Sequence, residues 1–267
     1  SIGVTIIGSK NDDLVDAANT VAGQPLPTNL NDLILGNKGN DDLSGLFGVD
    51  TIDGGKGDDV LRGGGGNDIL QIQGKEGKRD IFDGGPGSDT LQFLGTGKIS
   101  LNGFDAAASS IEILQGNGGG VAGSGEADLF DLSALTAMTG LPVIDAKGGD
   151  DILIGSDFAD ELRGGSGNDI LDGRGGNDVL RGGGGNDTFV FADGYGADSV
   201  ADYKAGEDIF DFTGVLSVDD FGDLFLTQVD PKTVLIDFDG IAGGDTLTVQ
   251  KTTIAILAAN QGDFLFA

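Results

Sequence analysis

The sequence predicts an all-β protein built as a parallel β-solenoid, and three observations favour this fold class. Aspartates recur every nine residues in two blocks of the chain, and an apolar residue stands two positions after each of them. Glycine fills the intervals and supplies 51 of the 267 residues. A unit this short cannot bury its apolar face alone, so neighbouring copies must stack to build a shared core.

The period of nine residues defines a set of candidate turn aspartates. The first block contains Asp32, Asp41, Asp50, Asp59 and Asp68 and then, after a three-residue insertion, Asp80 and Asp89. The second block contains Asp151, Asp160, Asp169, Asp178 and Asp187. Asp12 is an outlier that precedes the first block.

The apolar residue after each aspartate predicts a short strand with one buried face, because alternate strand residues point to opposite faces. These residues are Ile34, Leu43, Ile52, Leu61, Leu70, Phe82, Leu91, Leu153, Leu162, Leu171, Leu180 and Phe189. We expect each nonapeptide to form a six-residue turn and a three-residue strand, with two nonapeptides per coil of 18 residues. Like strands then lie about 4.8 Å apart as parallel neighbours.

The charge balance indicates a partner of positive charge. Asp and Glu number 44 against 15 Lys and Arg, which gives a formal net charge of −29. Such a chain repels nucleic acid and anionic membranes, and without cations a disordered acidic chain is the alternative. Because Cys and His are absent, disulfides, zinc sites that need Cys or His, and Ser-His-Asp triads are excluded. No Sec-type leader and no membrane-spanning run of about 18 apolar residues is predicted.

Stacked turns would place aspartates 18 residues apart in pairs, and carboxylates with backbone carbonyls are ligands that Ca²⁺ prefers. The expected pairs are Asp32 with Asp50, Asp41 with Asp59, Asp50 with Asp68, Asp151 with Asp169, Asp160 with Asp178, and Asp169 with Asp187. The alternative is that these aspartates only cap their turns, as Asp often does. That alternative does not explain why Asp recurs at one position while the residue after it varies.

The clearest copies of the repeat are GGKGDDVLR at Gly54, GGGGNDILQ at Gly63, GGPGSDTLQ at Gly84, GGSGNDILD at Gly164 and GGGGNDTFV at Gly182. This pattern resembles the calcium-binding nonapeptide of RTX proteins, over residues 32–92 and 151–190. The resemblance implies a parallel β-roll that binds about six or more Ca²⁺ ions. It also implies that carbonyls of the first and third turn positions contribute, such as those of Gly45, Gly54, Gly63, Gly164, Gly173 and Gly182.

The predicted organisation has four regions: a first β-roll block over 1–92, an irregular β-solenoid region over 93–150, a second block over 151–190, and a β-rich cap over 191–267. For 93–150 a second domain remains an alternative, and a short helix remains an alternative for ASSIEILQ. A cap is physically needed because a solenoid end exposes strand edges and core. The segment after Phe189 resembles the cap of serralysin-like secreted proteins, in which Asp202 and Asp208 are candidate ligands of a last ion.

The chain ends in DFLFA, Asp263 to Ala267, which resembles the C-terminus of proteins exported by type I secretion, although a terminal strand gives a similar pattern. The resemblance implies a noncatalytic module of a secreted bacterial protein, which meets the secretion machinery and folds when it reaches extracellular calcium. The alternatives are a polysaccharide-acting enzyme and a calcium-dependent binder of carbohydrate or of a cell surface. No HExxH or GxSxG motif is present, and a catalytic domain upstream of this chain is left open.

Overall fold

The structure is a computed structural model that describes residues 2–73, 79–95, 98–116, 118–140, 143–216, 218–237 and 244–267. It confirms the predicted fold class, since nearly all regular structure is β-strand and most strands pair in parallel. One α-helix, α1 (Ile254–Ala259), lies near the C-terminus of the described part. Within these residues no helix is long and apolar enough to cross a membrane.

The strands follow one another at short intervals. In chain order they are β1 (Ile2–Ile7), β2 (Leu14–Val15), β3 (Asn31–Leu35), β4 (Asp42–Phe47), β5 (Thr51–Asp53), β6 (Val60–Gly65), β7 (Ile69–Gln73), β8 (Ile81–Asp83), β9 (Thr90–Leu94), β10 (Ile99–Ser100), β11 (Phe104–Asp105), β12 (Ile113–Gln115), β13 (Val121–Ala122), β14 (Leu129–Asp131), β15 (Ala137–Thr139), β16 (Ile144–Asp145), β17 (Ile152–Ile154), β18 (Glu161–Ser166), β19 (Ile170–Asp172), β20 (Val179–Gly184), β21 (Thr188–Ala192), β22 (Ala197–Val200), β23 (Ile209–Gly214), β24 (Phe225–Asp230), β25 (Thr233–Asp237), β26 (Thr246–Gln250) and β27 (Phe264–Leu265).

The chain divides into two compact units. Unit 1 comprises Ser1–Ala122 with Ala134–Pro142. Its strands form a parallel sheet in the order β1-β3-β5-β7-β9-β12-β15 and a second one in the order β2-β4-β6-β8. The stretch ASSIEILQ, for which a helix was an alternative, ends in strand β12 and not in a helix.

Unit 2 comprises Gly123–Ser133 with Val143–Ala267. One of its sheets has the parallel order β14-β17-β19-β21-β23-β27. The other runs β16-β18-β20-β22-β26 in parallel and continues into β25 and β24, which pair antiparallel. The antiparallel strands and α1 give the C-terminal region an architecture that the nonapeptide period does not contain.

The core of each unit includes the apolar residues that the sequence places two positions after the turn aspartates. All twelve are buried, from the fully buried Leu61 and Leu171 to Phe82 at 7% exposure. They stack in register through the sheets, so that Ile34 pairs with Ile52 and Ile52 with Leu70. Strand alternation therefore predicts the core residue of every repeat.

Several strands are longer than the expected three residues, and on one side of the coils they continue into the turn. Strands β4, β6, β18 and β20 each span six residues and run into the glycines of the turn. Their added residues stay in register, as Leu46 with Gly64 and Gly165 with Gly183 show. The stacked turns on this side therefore extend the sheet.

We predict that Leu171→Ala lowers the free energy of unfolding by about 2–5 kcal/mol, because it leaves a cavity in a packed core. Its matched control is Ile170→Ala, since Ile170 is the neighbouring residue on β19 and is 42% exposed on the other face. Urea unfolding in saturating calcium measures both changes. An equal loss in the two variants would contradict the assignment of the core face.

Candidate metal centres

The turn aspartates form columns in which each coil is hydrogen-bonded to the next. The backbone N–H of one aspartate donates to Oδ1 of the aspartate one coil later, at 2.7 Å from Asp32 to Asp50 and 2.8 Å from Asp160 to Asp178. All six pairs expected from the sequence are joined in this way, at 2.7–3.1 Å. The bond aligns each turn with the next and buries the carboxylate.

The columns also contain acidic residues that the nonapeptide period missed. The backbone N–H of Asp13 donates to the carboxylate of Asp41, and that of Asp89 donates to the carboxylate of Glu112. In the same way the N–H of Asp128 donates to Asp151, and that of Asp178 donates to Asp198. A signal for Asp198 exists, because GYGADSV at Gly194 keeps the GxGxDxU core of the repeat. Glu112 follows Asp89 by 23 residues and stands in no recognisable repeat.

The second carboxylate oxygen of many turn aspartates is buried without a hydrogen-bond donor. This holds for Oδ2 of Asp41, Asp50, Asp59, Asp68, Asp89, Asp151, Asp169, Asp178, Asp187 and Asp198. These residues are at most 2% exposed. A buried carboxylate oxygen without a partner is strongly destabilising unless a cation compensates it, so each of these oxygens marks a candidate cation position.

Backbone carbonyls approach the same positions from the next coil. A Cβ on Gly45 would lie closer than 3.0 Å to both Asp50 Oδ2 and the carbonyl oxygen of Gly63. At Gly63 the corresponding oxygens are those of Asp68 and Gly84. The glycine leaves open a space that oxygen atoms border, and such an oxygen-only cradle fits Ca²⁺.

The other predicted glycines lie beside turn carboxylates in the same way. A Cβ on Gly54, Gly164, Gly173 or Gly182 would lie closer than 3.0 Å to Oδ2 of the aspartate five residues later. Among the described residues no three acidic side chains gather as one metal-binding group. We therefore expect each centre to combine the carboxylates of neighbouring turns with carbonyls of these glycines.

Some predicted ligands lie in turns of a different kind. Oδ2 of Asp32, Asp160 and Asp208 accepts the N–H of the residue four positions earlier, at 2.6–2.7 Å. Oδ1 of Asp202 accepts the N–H of Gly182 at 3.2 Å, and Oδ1 of Asp80 accepts that of Asp59 at 2.9 Å. For Asp32, Asp160 and Asp208, the oxygen that would face a cation is already hydrogen-bonded.

Burial makes the charged form of the turn aspartates unfavourable when no cation is near. Desolvation raises the pKa of Asp50 to about 7, that of Asp169 to about 6 and that of Asp178 to about 8. Neighbouring carboxylates along the column raise these pKa values further, while the N–H from the preceding coil lowers them. A bound divalent cation reverses this balance because it favours the charged form.

Comparison with known proteins identifies the repeat. A family model described as the RTX calcium-binding nonapeptide repeat (4 copies) matches residues 35–70 and 77–92, and it matches 145–180, 154–189 and 163–197 with overlap. No curated protein matches the chain.

Solved structures that match include two bacterial proteins. The extracellular lipase LipA from Serratia marcescens is 17% identical over 91% of this chain and 39% of its own, with a TM-score of 0.31. The AlgE6R3 subunit of the Azotobacter vinelandii mannuronan C5-epimerase is 23% identical over 44% of this chain and 78% of its own, with a TM-score of 0.23. The chain thus spans about two fifths of the length of the lipase.

We predict that Asp59→Asn weakens calcium binding at its turn on the order of tenfold, equivalent to about 1.4 kcal/mol. The amide keeps an oxygen acceptor for the N–H of Asp41 but removes the charge and replaces one ligand oxygen. Asp58→Asn is the matched control, because it makes the same change at the adjacent, exposed residue. Calcium titration against a competing chelator measures both, and equal shifts would refute the assignment.

We predict that the calcium-free chain gains structure as the pH is lowered from 8 to about 5.5. The raised pKa values mean that the folded state binds more protons than the unfolded state in this window, so stability is lost as pH rises through 6–8. Circular dichroism of calcium-stripped protein measures the effect. In saturating calcium the gain should vanish, and a calcium-free signal that is independent of pH would contradict the prediction.

Proposed function

Because the chain carries RTX calcium-binding nonapeptide repeats in two blocks, we propose that it is a noncatalytic β-roll module of a secreted protein, in which calcium triggers folding. In this proposal the chain is exported unfolded by a type I secretion system and folds in the calcium of the extracellular medium. The observation that carries it is the series of ten buried turn carboxylate oxygens without a hydrogen-bond donor.

The choice of calcium follows from the donor set. The oxygens at each candidate centre come from carboxylates and backbone carbonyls, and hard oxygen ligands of this kind favour Ca²⁺. Successive turns lie on alternate sides of the coil, and turns 18 residues apart stack on the same side. Cations bound by the stacked turns would therefore form one column on each side. Six ions would supply a charge of +12, against the formal net charge of −29.

We infer that calcium binding is coupled to folding because folding without calcium carries two free-energy costs. Glycine loses more backbone freedom on folding than any other residue, and the repeats are rich in glycine. Folding also buries the carboxylates and brings those of successive coils together, so that desolvation first, and then repulsion by Asp68, raises the pKa of Asp50. A cation removes the repulsion and is bound by the folded turns, so its binding energy becomes folding energy.

The C-terminal tail supports the proposed route of export without deciding it. Phe264 and Leu265 form strand β27, which pairs with β23, so the terminal-strand interpretation of DFLFA fits the folded chain. The acidic residue followed by apolar ones is also the pattern that resembles a type I signal. In our proposal the same residues act as a signal while unfolded and as part of the last coil after folding.

A noncatalytic role is supported by the use that the fold makes of its carboxylates. In the six stacked pairs Oδ1 of the later aspartate accepts the N–H of the preceding coil. In open turns the other oxygen faces a candidate cation position, and in turns such as that of Asp160 it accepts a neighbouring N–H. The turn carboxylates therefore have structural roles in this proposal. The proposed location is extracellular, and association with a cell surface or a polysaccharide is a further partner class to be tested by binding assays.

We predict that the chain has little β structure in chelator and gains it cooperatively as calcium rises to the millimolar range, because the cation compensates the stacked carboxylates. Far-UV circular dichroism during a calcium titration measures the transition. Magnesium at the same concentration is the control, since it demands octahedral geometry and dehydrates reluctantly. A full β signal in chelator that calcium leaves unchanged would rule out calcium-triggered folding.

A further inference from the structure

Fifteen turn aspartates fall into two classes according to what their Oδ2 contacts. In open turns Oδ2 is buried without a donor, which is the case for the ten aspartates described above. In closed turns Oδ2 accepts the backbone N–H of the residue four positions earlier, here called position −4. The closed turns are those of Asp13, Asp32, Asp128, Asp160 and Asp208, with bonds of 2.6–2.7 Å.

The backbone conformation at position −4 separates the two classes without exception among these fifteen turns. In every open turn the residue at position −4 has a positive φ. These residues are Asn37, Leu46, Gly55, Gly64, Gly85, Lys147, Gly165, Arg174, Gly183 and Gly194, with φ between 64° and 119°. None of the five residues at position −4 of closed turns has a positive φ.

The N–H direction explains the separation. With negative φ the N–H at position −4 points at the turn carboxylate, as Ser156 N–H does at Asp160. With positive φ the N–H is turned away, and that of Gly64 donates instead to the carbonyl of Gly84 at 3.0 Å. Oδ2 of Asp68, four residues after Gly64, is then left facing the cradle.

Three large side chains are held in this unusual conformation. Leu46, Lys147 and Arg174 have φ of 78°, 85° and 64°, although residues other than glycine rarely adopt positive φ. Such strain persists where the surroundings impose it, and it often accompanies function. All three stand at position −4 of an open turn, which indicates that the open state is maintained at sites without glycine.

Four of the five closed turns contain a hydroxyl group that donates to the carboxylate and so takes over part of the role of a cation. Ser9, Thr28, Ser124 and Ser156 stand at position −4, and each hydroxyl donates to the turn carboxylate at 2.8–3.2 Å. Each also accepts the N–H two residues later, at 3.0–3.1 Å. The fifth closed turn has Lys204, which closes it through the backbone N–H alone.

We propose that position −4 decides which turns bind calcium: a residue with positive φ opens a turn to the ion, and a serine or threonine closes it. This inference rests on the proposed calcium-binding function. It assigns an ion-binding turn to Asp198, which lies outside the residues matched by the repeat model. It also predicts that the closed turns of Asp32, Asp160 and Asp208 bind no ion.

Two closed turns already have the remaining oxygens in place. A Cβ on Gly155 would lie closer than 3.0 Å to Asp160 Oδ2 and to the carbonyl of Gly173, as at the open turns of Gly45 and Gly63. A Cβ on Gly123 would meet Asp128 Oδ2 and the carbonyl of Ala146 in the same way. Replacing the serine at position −4 should therefore open both turns without building a new site.

The test counts bound calcium per 267-residue chain by equilibrium dialysis with radioactive calcium and by elemental analysis. The opening variant Ser124→Gly/Ser156→Gly should gain two ions. The closing variant Lys147→Ser/Arg174→Ser should lose two. Its matched control, Lys147→Gly/Arg174→Gly, removes the same ion pairs with Asp145 and Asp157 but permits positive φ, so it should keep the wild-type count.

The outcomes separate this inference from the proposed function. A wild-type chain that binds calcium, with a count that the opening variant leaves unchanged, would overturn the role of position −4 alone. A wild-type chain that takes up no calcium would overturn both. If the closing variant does not fold, as circular dichroism in saturating calcium would show, the opening variant and the glycine control still decide the question.

Discussion

The hydrogen bond from the N–H of one turn aspartate to the carboxylate of the next coil is the interaction on which the structure depends. In the regular repeats it joins aspartates 18 residues apart and aligns the strands that follow them. It also buries the carboxylate and directs its second oxygen into the turn. The requirement for glycine, the raised pKa values and the candidate cation positions all follow from that placement.

At the ends of the columns in unit 2, carboxylates that do not belong to the repeats accept the hydrogen bonds of the turns. Asp245 accepts the N–H groups of Gly194 and Gly196 at 2.6 and 3.0 Å. Asp263 accepts the N–H of Gly206 and the hydroxyl of Tyr203 at 2.8 and 2.6 Å. Carboxylates from the C-terminal segment thus bind the amides of the last turns, so the final coil is completed by the chain itself.

The sequence predicted the fold and the repeated core because both depend on spacing: Leu61 follows Asp59 by two residues, and Asp59 follows Asp41 by 18. It did not predict Glu112, which follows Asp89 in a column by 23 residues instead of 18. Nor did it separate Asp160 from Asp178, because the period was aligned on the aspartate, while the difference lies four residues earlier, at Ser156 and Arg174. The spacing of the aspartates locates the carboxylate, but the contact of its second oxygen depends on the backbone of the residue at position −4.

The residue at position −4 gives the array a simple route of divergence. Glycine and serine codons can differ by a single base, so one point mutation in a repeat is enough to exchange the residue that opens a turn for the residue that closes it. The number of calcium ions bound per chain would then change by one turn at a time, while the aspartate, the buried leucine and the strand register stay the same. A lineage carrying many copies could adjust its response to ambient calcium in small steps without passing through an unfolded ancestor.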